Sequence, residues 1–225
     1  MKHRKRIGIV LIVAGILALL SGGGFWLLNS RLEGEAADFA AHTMEELHAQ
    51  IGLVGLMDGD IGADRDAADI IVIENGIEGG SGGGGGGGMR AVVIEGSAYI
   101  GVLGIPSLRL DLPINGEWSY PALLRTPCRF SGDVESNSLV IAAHNYQGHF
   151  GNITTLPMGD LVTFTSVDGT VYRYQVVEIE TLLPSGTYVV TYSEYDLTLF
   201  TCTYSGQARA VVRCMRMDDG LAEEN

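Results

Sequence analysis

Residues 161–182 read LVTFTSVDGTVYRYQVVEIETL, and the fold follows from this stretch. Two β-rich runs, Leu161–Thr165 and Val171–Leu182, flank Asp168-Gly169, a pair suited to a tight hairpin turn. In the second run Tyr172, Tyr174 and Val176 alternate with Arg173 and Gln175, so one face is apolar and the other polar. Working outward, the same signal recurs. Ala98–Ile105 and Leu108–Ile114 are β-rich runs separated by Pro106-Ser107, and Ser138–Ala143 has the length of a buried strand. Asp196–Cys202 and Arg209–Met217 are two more, joined by Thr203–Ala208. Strands at this density, with few helical stretches, predict an all-β barrel or sandwich from residue 91 onward.

The chain of 225 residues is uneven in charge. Residues 1–28 carry +4, residues 29–89 carry −10 and residues 90–225 carry −7, which gives the net −13. Such an acidic chain is unsuited to nucleic acid, whose binding depends on Lys and Arg at phosphates. Residues 7–28 hold no charge for 22 residues and follow Lys2, Arg4, Lys5 and Arg6. That length suffices to span ~30 Å of hydrocarbon, with the basic tip inside the cell. No small-residue cleavage site follows, and an uncleaved single-pass anchor is expected over residues 1–28 rather than a removed signal peptide. Residues 29–90 are expected to be an acidic stalk, with residues 31–52 forming a helix next to the membrane. The stalk ends in a flexible tether, Gly79-Gly80-Ser81 and the seven glycines Gly82–Gly88. Residues 91–225 are the expected β domain.

The three cysteines are Cys128, Cys202 and Cys214, an odd count that reads as no disulfide framework. One bridge, Cys128–Cys214, would leave Cys202 free. No Cys/His spacing suits zinc, and neither a metal nor another cofactor is expected. Cys202 ends an alternating strand in which Thr198, Phe200 and Cys202 share one face and Leu197, Leu199 and Thr201 the other. A free Cys is most often a small core residue, but one at a strand end before a Ser/Gly turn is better placed to be reached. His144 also ends an apolar strand, ahead of a loop with Gly148, His149 and Gly151, and a His there can carry a proton near neutral pH. His149 lies deeper in the loop and ranks second. Arg209 opens the last strand; a guanidinium beside a thiol can stabilise a thiolate or an oxyanion. Arg213, four residues on, points to the same face, so parity alone chooses neither.

Together these residues resemble the sortase family. Thr198-Leu199-Phe200-Thr201-Cys202 matches the signature Thr-Leu-x-Thr-Cys. Arg209 follows seven residues later before Ala210-Val211-Val212, and Ile141-Ala142-Ala143-His144-Asn145 is similar to the family's His-Asn segment. The resemblance covers roughly residues 91–218, not the stalk or the glycine run. It implies an eight-stranded β-barrel and a cysteine transpeptidase at a Gram-positive-type cell surface. There Cys202 attacks the Thr–Gly amide of an LPxTG-like sorting signal, His144 protonates the leaving amine and Arg209 stabilises substrate and oxyanion. Thr201 and Asn145 join the substrate-binding set. An amine on a peptidoglycan precursor or a pilin then resolves the thioacyl-enzyme, so the implied partners are surface proteins bearing sorting signals. The compact Cys–Arg loop is similar to that of class D or class B members, and calcium dependence does not transfer. Two rival readings are a wall-remodelling L,D-transpeptidase, whose Ser-His-Gly-Cys motif is missing here, and a non-catalytic surface or pilus-assembly domain.

Overall fold

The structure is a computed structural model that describes residues 2–57, 72–73, 89–183, 190–191, 194–203 and 206–217. The glycine tether expected over residues 79–88 lies outside the described residues. Ten strands are described: β1 (Val72–Ile73), β2 (Ala91–Ile94), β3 (Ser97–Ile105), β4 (Leu110–Asn115), β5 (Cys128–Ser131), β6 (Leu139–Ala142), β7 (Leu161–Ser166), β8 (Val171–Leu182), β9 (Leu197–Cys202) and β10 (Arg209–Arg216). Eight of them close into a barrel in the order β3-β4-β5-β6-β9-β10-β8-β7, with β7 returning to pair with β3. β1 and β2 extend from the part of β3 that precedes the seam. The β4–β5 and β6–β9 pairs are parallel and the other pairs antiparallel.

The hairpin of residues 161–182 forms as expected. Asp168 turns it, accepting from the Thr170 amide at 3.0 Å, and Gly169 takes φ 87°. At the closing seam Gly101 has φ 154°, and a side chain there would meet the Thr165 carbonyl at 2.1 Å. Only glycine lets β3 pass that close to β7. The barrel interior is filled by residues of β3, β4 and β6–β10, among them Ile100, Leu103, Ile141, Phe164, Tyr174, Val176, Leu197, Leu199 and Val212. Tyr174 and Val176 take the inward positions that their alternation predicts, with Tyr172 packed at the margin.

The helix expected over residues 31–52 forms within a longer one. One helix, α1, runs from Lys2 to Met57. Its stripe of Ala36, Ala40, Thr43, Met44 and Leu47 is buried, because residues spaced three or four apart share a helix face. Met44 and Leu47 pack with Val92, Ile94, Tyr99, Val102 and Val167 on the outer side of β2 and β3, and Arg125 sits 5.0 Å over the Phe39 ring. This half of α1 therefore packs against the barrel. Among the described residues no helix is long and apolar enough to cross a membrane. Within the span expected over residues 7–28, the side chains of residues 7–11, 13, 14, 18, 25 and 26 lie outside what the structure describes.

The disulfide alternative also falls. Cys128, Cys202 and Cys214 are all free thiols; Cys128 and Cys214 are buried and Cys202 is half-buried.

Candidate active site

Cys202 lies on the outer face of the barrel, where β6, β9 and β10 run side by side. Leu197 and Leu199 point into the core, while Phe200 packs outside with Val140, Val190, Val211, Phe130 and Leu182. Cys202 follows Phe200 by two residues and so shares that outer face. On β10, Arg209 is the direct partner of Cys202 across the antiparallel ladder. On the other side Ala142 pairs with Phe200 in parallel, and the Ala143 amide donates to the Phe200 carbonyl at 3.1 Å. His144 and Cys202 each lie two residues beyond that pair, so the two strands deliver both to the same end of the same face. Three residues scattered over 66 positions of chain, from His144 to Arg209, are thereby gathered at the ends of three adjacent strands.

The structure separates the two arginines that parity left equal. Arg213 is 1% exposed and held in place: its Nε and Nη2 both lie 2.9 Å from Glu180 Oε1, and its Nη1 donates to Thr198 Oγ1 at 3.1 Å. The Tyr195 ring lies 5.3 Å below its guanidinium. Arg213 is thus committed to binding β8, β9 and β10 together. Arg209 is half-buried and donates to the Ala208 carbonyl at 3.2 Å.

The two histidines also separate. His144 is half-buried and stacks on Tyr146, with ring centroids 4.9 Å apart and planes 26° from parallel. Its Nε2 is enclosed and makes no hydrogen bond among the described residues. Burial lowers its pKa below the ordinary imidazole value. His149 is wholly buried behind the same Tyr146 ring at 5.6 Å. Burial, and then the nearby His144, pull His149 down to about 4. A ring held neutral and shut in the core is a packing element rather than a proton donor to a substrate.

Thr201 alternates to the face opposite Cys202; it is buried with its hydroxyl unpaired among the described residues, so only its backbone adjoins the thiol. Asn145 is half-buried at the start of the loop that leaves His144. A side chain at Gly151 would meet the Asn145 and Tyr146 carbonyls at 2.7 Å, so the loop folds back on itself there. Tyr146 and the helix residue Glu33, whose Oε1 accepts from the Gln147 amide at 2.5 Å, escaped the sequence reading. Glu33 has the phase of the buried stripe of α1, which was the available signal. Burial pushes the Cys128 and Cys214 thiols up to about 12, which removes them as nucleophiles near neutral pH. Among the described residues no group of three or more His, Cys, Asp or Glu could hold a metal ion.

A family model described as the sortase domain matches residues 103–217, more than half of the chain. The chain belongs to the sortase family. Among solved structures it is similar to sortase A from Corynebacterium diphtheriae, at 24% identity and a TM-score of 0.50 over 57% of this chain. It spans 64% of that protein's length. Lower likenesses are to sortase C of Streptococcus pneumoniae, 26% identical with a TM-score of 0.46 over 53% of this chain and 68% of that one. A sortase D5 transpeptidase of Clostridium perfringens is 23% identical with a TM-score of 0.46, over 53% of this chain and 79% of that one. No curated protein matches the sequence. The eight-stranded barrel is the sortase fold.

Proposed function

We propose that this sortase is a transpeptidase that uses Cys202 as nucleophile, His144 as acid and base, and Arg209 as the stabilising cation. The observation that carries the reading is the placement of Arg209 directly across from Cys202, at the strand end that also delivers His144. In the first half-reaction the Cys202 thiolate sulfur bonds to the carbonyl carbon of a Thr–Gly-type amide in a sorting signal. The guanidinium of Arg209 offsets the charge that gathers on the carbonyl oxygen. The C–N bond then breaks, and the proton on the His144 imidazolium passes to the departing amine. A thioester on Cys202 and a neutral His144 remain. In the second half-reaction a primary amine, of a peptidoglycan precursor or a pilin lysine, bonds to the thioester carbon. Its proton returns to His144 and the thiolate leaves. Asn145 and the backbone at Thr201 border the path of the peptide.

The same reading places the enzyme at a cell surface, held by an anchor over residues 1–28. The uncharged residues 7–28 behind a basic tip support it.

The test is the full chain in detergent micelles with a fluorogenic LPxTG-like peptide and triglycine. A peptide–triglycine product, and an acyl adduct on Cys202 whose mass reports the cleaved bond, are expected. Full activity in Cys202→Ala refutes the mechanism, and a Cys202 inert to a methanethiosulfonate favours a non-catalytic surface domain.

A further inference from the structure

The loop between β6 and β7 carries His144, and most of its described backbone bonds close on the loop itself. Phe150 donates to the His144 carbonyl at 3.1 Å, while His149 and Gly151 donate to the Tyr146 carbonyl at 3.0 and 2.8 Å. Tyr146 stands between the two histidine rings, so its position sets that of the His144 ring. Among the described residues, one hydrogen bond ties the 144–151 part of the loop to a distant element: the amide of Gln147 donates to Glu33 Oε1 on α1 at 2.5 Å, across 114 residues of chain.

Glu33 is not an arbitrary surface acid. At 100° per residue it has the same angular position as Ile51 and continues the stripe of Ala36, Ala40, Met44 and Leu47 that faces the barrel. The other acids of residues 31–46 (Glu35, Asp38, Glu45 and Glu46) fall off that stripe. The small Ala36 and Ala40 let the helix axis approach the barrel closely, which brings the Glu33 carboxylate within reach of the loop. Tyr146 registers the same neighbour: burial and then the charge of Glu33 raise its pKa.

We infer that Glu33 is a positioning residue, by which α1 fixes the 144–151 loop and so the aim of His144 at Cys202. A carboxylate accepting from a backbone amide makes one of the stronger protein hydrogen bonds, and it fixes the middle of the loop rather than its ends. The helix that leads to the N-terminus thus becomes part of the catalytic apparatus. The inference deepens the proposed transpeptidase, but the restraint itself can be read without turnover.

The experiment uses the full chain in detergent micelles, as wild type and as Glu33→Ala, Glu33→Gln and Glu35→Ala. Glu35 is exposed on the same helix and serves as control. Hydrogen exchange is followed over residues 145–149 and compared with β9 as an internal reference. In Glu33→Ala, exchange in the loop rises about tenfold while β9 is unchanged. Thioester formation in the same variant slows on the order of tenfold in kcat with KM held, since a small misplacement of a proton donor is costly. Glu33→Gln keeps an acceptor oxygen and restores both readouts to within about twofold. Unchanged loop exchange in Glu33→Ala, an equal effect in Glu35→Ala, or a loosened loop with wild-type kcat each overturns the inference. A loop response in a chain whose wild type turns over no sorting peptide supports the restraint and refutes the transpeptidase reading instead.

Discussion

Arg209 and Cys202 face each other across the β9–β10 ladder, partners in register on the outer face of the barrel. Directly opposed side chains on one face have Cβ atoms roughly 5 Å apart, within the reach of an arginine over a thiol and its acyl adduct. Arg213, four residues further along β10, has a different role: it is buried, paired to Glu180 and Thr198, with its guanidinium over the Tyr195 ring.

The two arginines should therefore fail differently. Arg209→Ala is expected to lower kcat by on the order of 100- to 1,000-fold, the usual loss of an oxyanion-stabilising group, with an unchanged melting temperature. Arg213→Ala strips Glu180 of its partner and opens a buried site, and should cost roughly 3 kcal/mol of stability. Kinetics and urea unfolding of the two variants, run side by side, check the assignment. A stable but inactive Arg213→Ala beside an active Arg209→Ala would reverse it.

The thiols provide a second check. Cys128 and Cys214 are shut in the core with thiols pushed up to about 12, while Cys202 is half-buried at a strand end. Iodoacetamide at pH 7.5 should add one carbamidomethyl group to the native chain, on Cys202, and three after denaturation in guanidinium. Peptide mass mapping reads this directly, and labelling of Cys214 in the native protein would contradict the packing.

His149 predicts a pH dependence of stability. Its folded value of about 4 lies below the ordinary 6.5, so the unfolded chain takes up the proton first as pH falls. The sign follows: the contribution is fully present above 6.5 and is lost as pH drops through 6.5 toward 4. His144, lowered by burial too, acts in the same direction. The melting temperature should decline between pH 6.5 and 4.5, before most carboxylates titrate. His149→Phe, a neutral ring of similar shape, should flatten that part of the profile. An unaltered decline in His149→Phe would show that the ring is hydrated in the folded protein.

Much of the barrel is legible because period-two alternation survives in long strands. β8 spans 12 residues and β9 six, and both lie where Tyr172–Val176 and Leu197–Cys202 predict them. β5 escaped because it has four residues, Cys128–Ser131, and buries a charge: Arg129 donates to the Gly116 carbonyl at 3.1 Å. β2 is equally short and takes its sense from β3 and α1 on either side. Cys202, His144 and Arg209 could be picked out by type and strand position. Parity leaves Arg209 and Arg213 equal and the family resemblance favours Arg209; the register that sets Arg209 opposite Cys202 depends on pairing across the sheet rather than on either strand alone. The docking of α1 was hidden because its apolar stripe is made of small residues within an acidic segment, and only the matching face of β2 and β3 gives it a partner.

That docking carries the last prediction. A free stalk would tolerate truncation of any side chain between residues 31 and 52. In the folded chain Leu47 is fully buried between α1 and the β2–β3 surface, touching the cluster of Tyr99, Val102 and Val167. Leu47→Ala removes that packing and leaves a cavity that a sheet and a helix can close only in part, so it should cost about 2–4 kcal/mol in urea unfolding. His48, on the exposed side of the same turn, should tolerate alanine within about 0.5 kcal/mol. The contrast matters for the site because Leu47 and Glu33 share one helix face. Loosening the helix at Leu47 should also speed exchange in the 144–151 loop, while His48→Ala leaves it unchanged. Equal stability of Leu47→Ala and His48→Ala would show that residues 31–52 do not dock on the barrel.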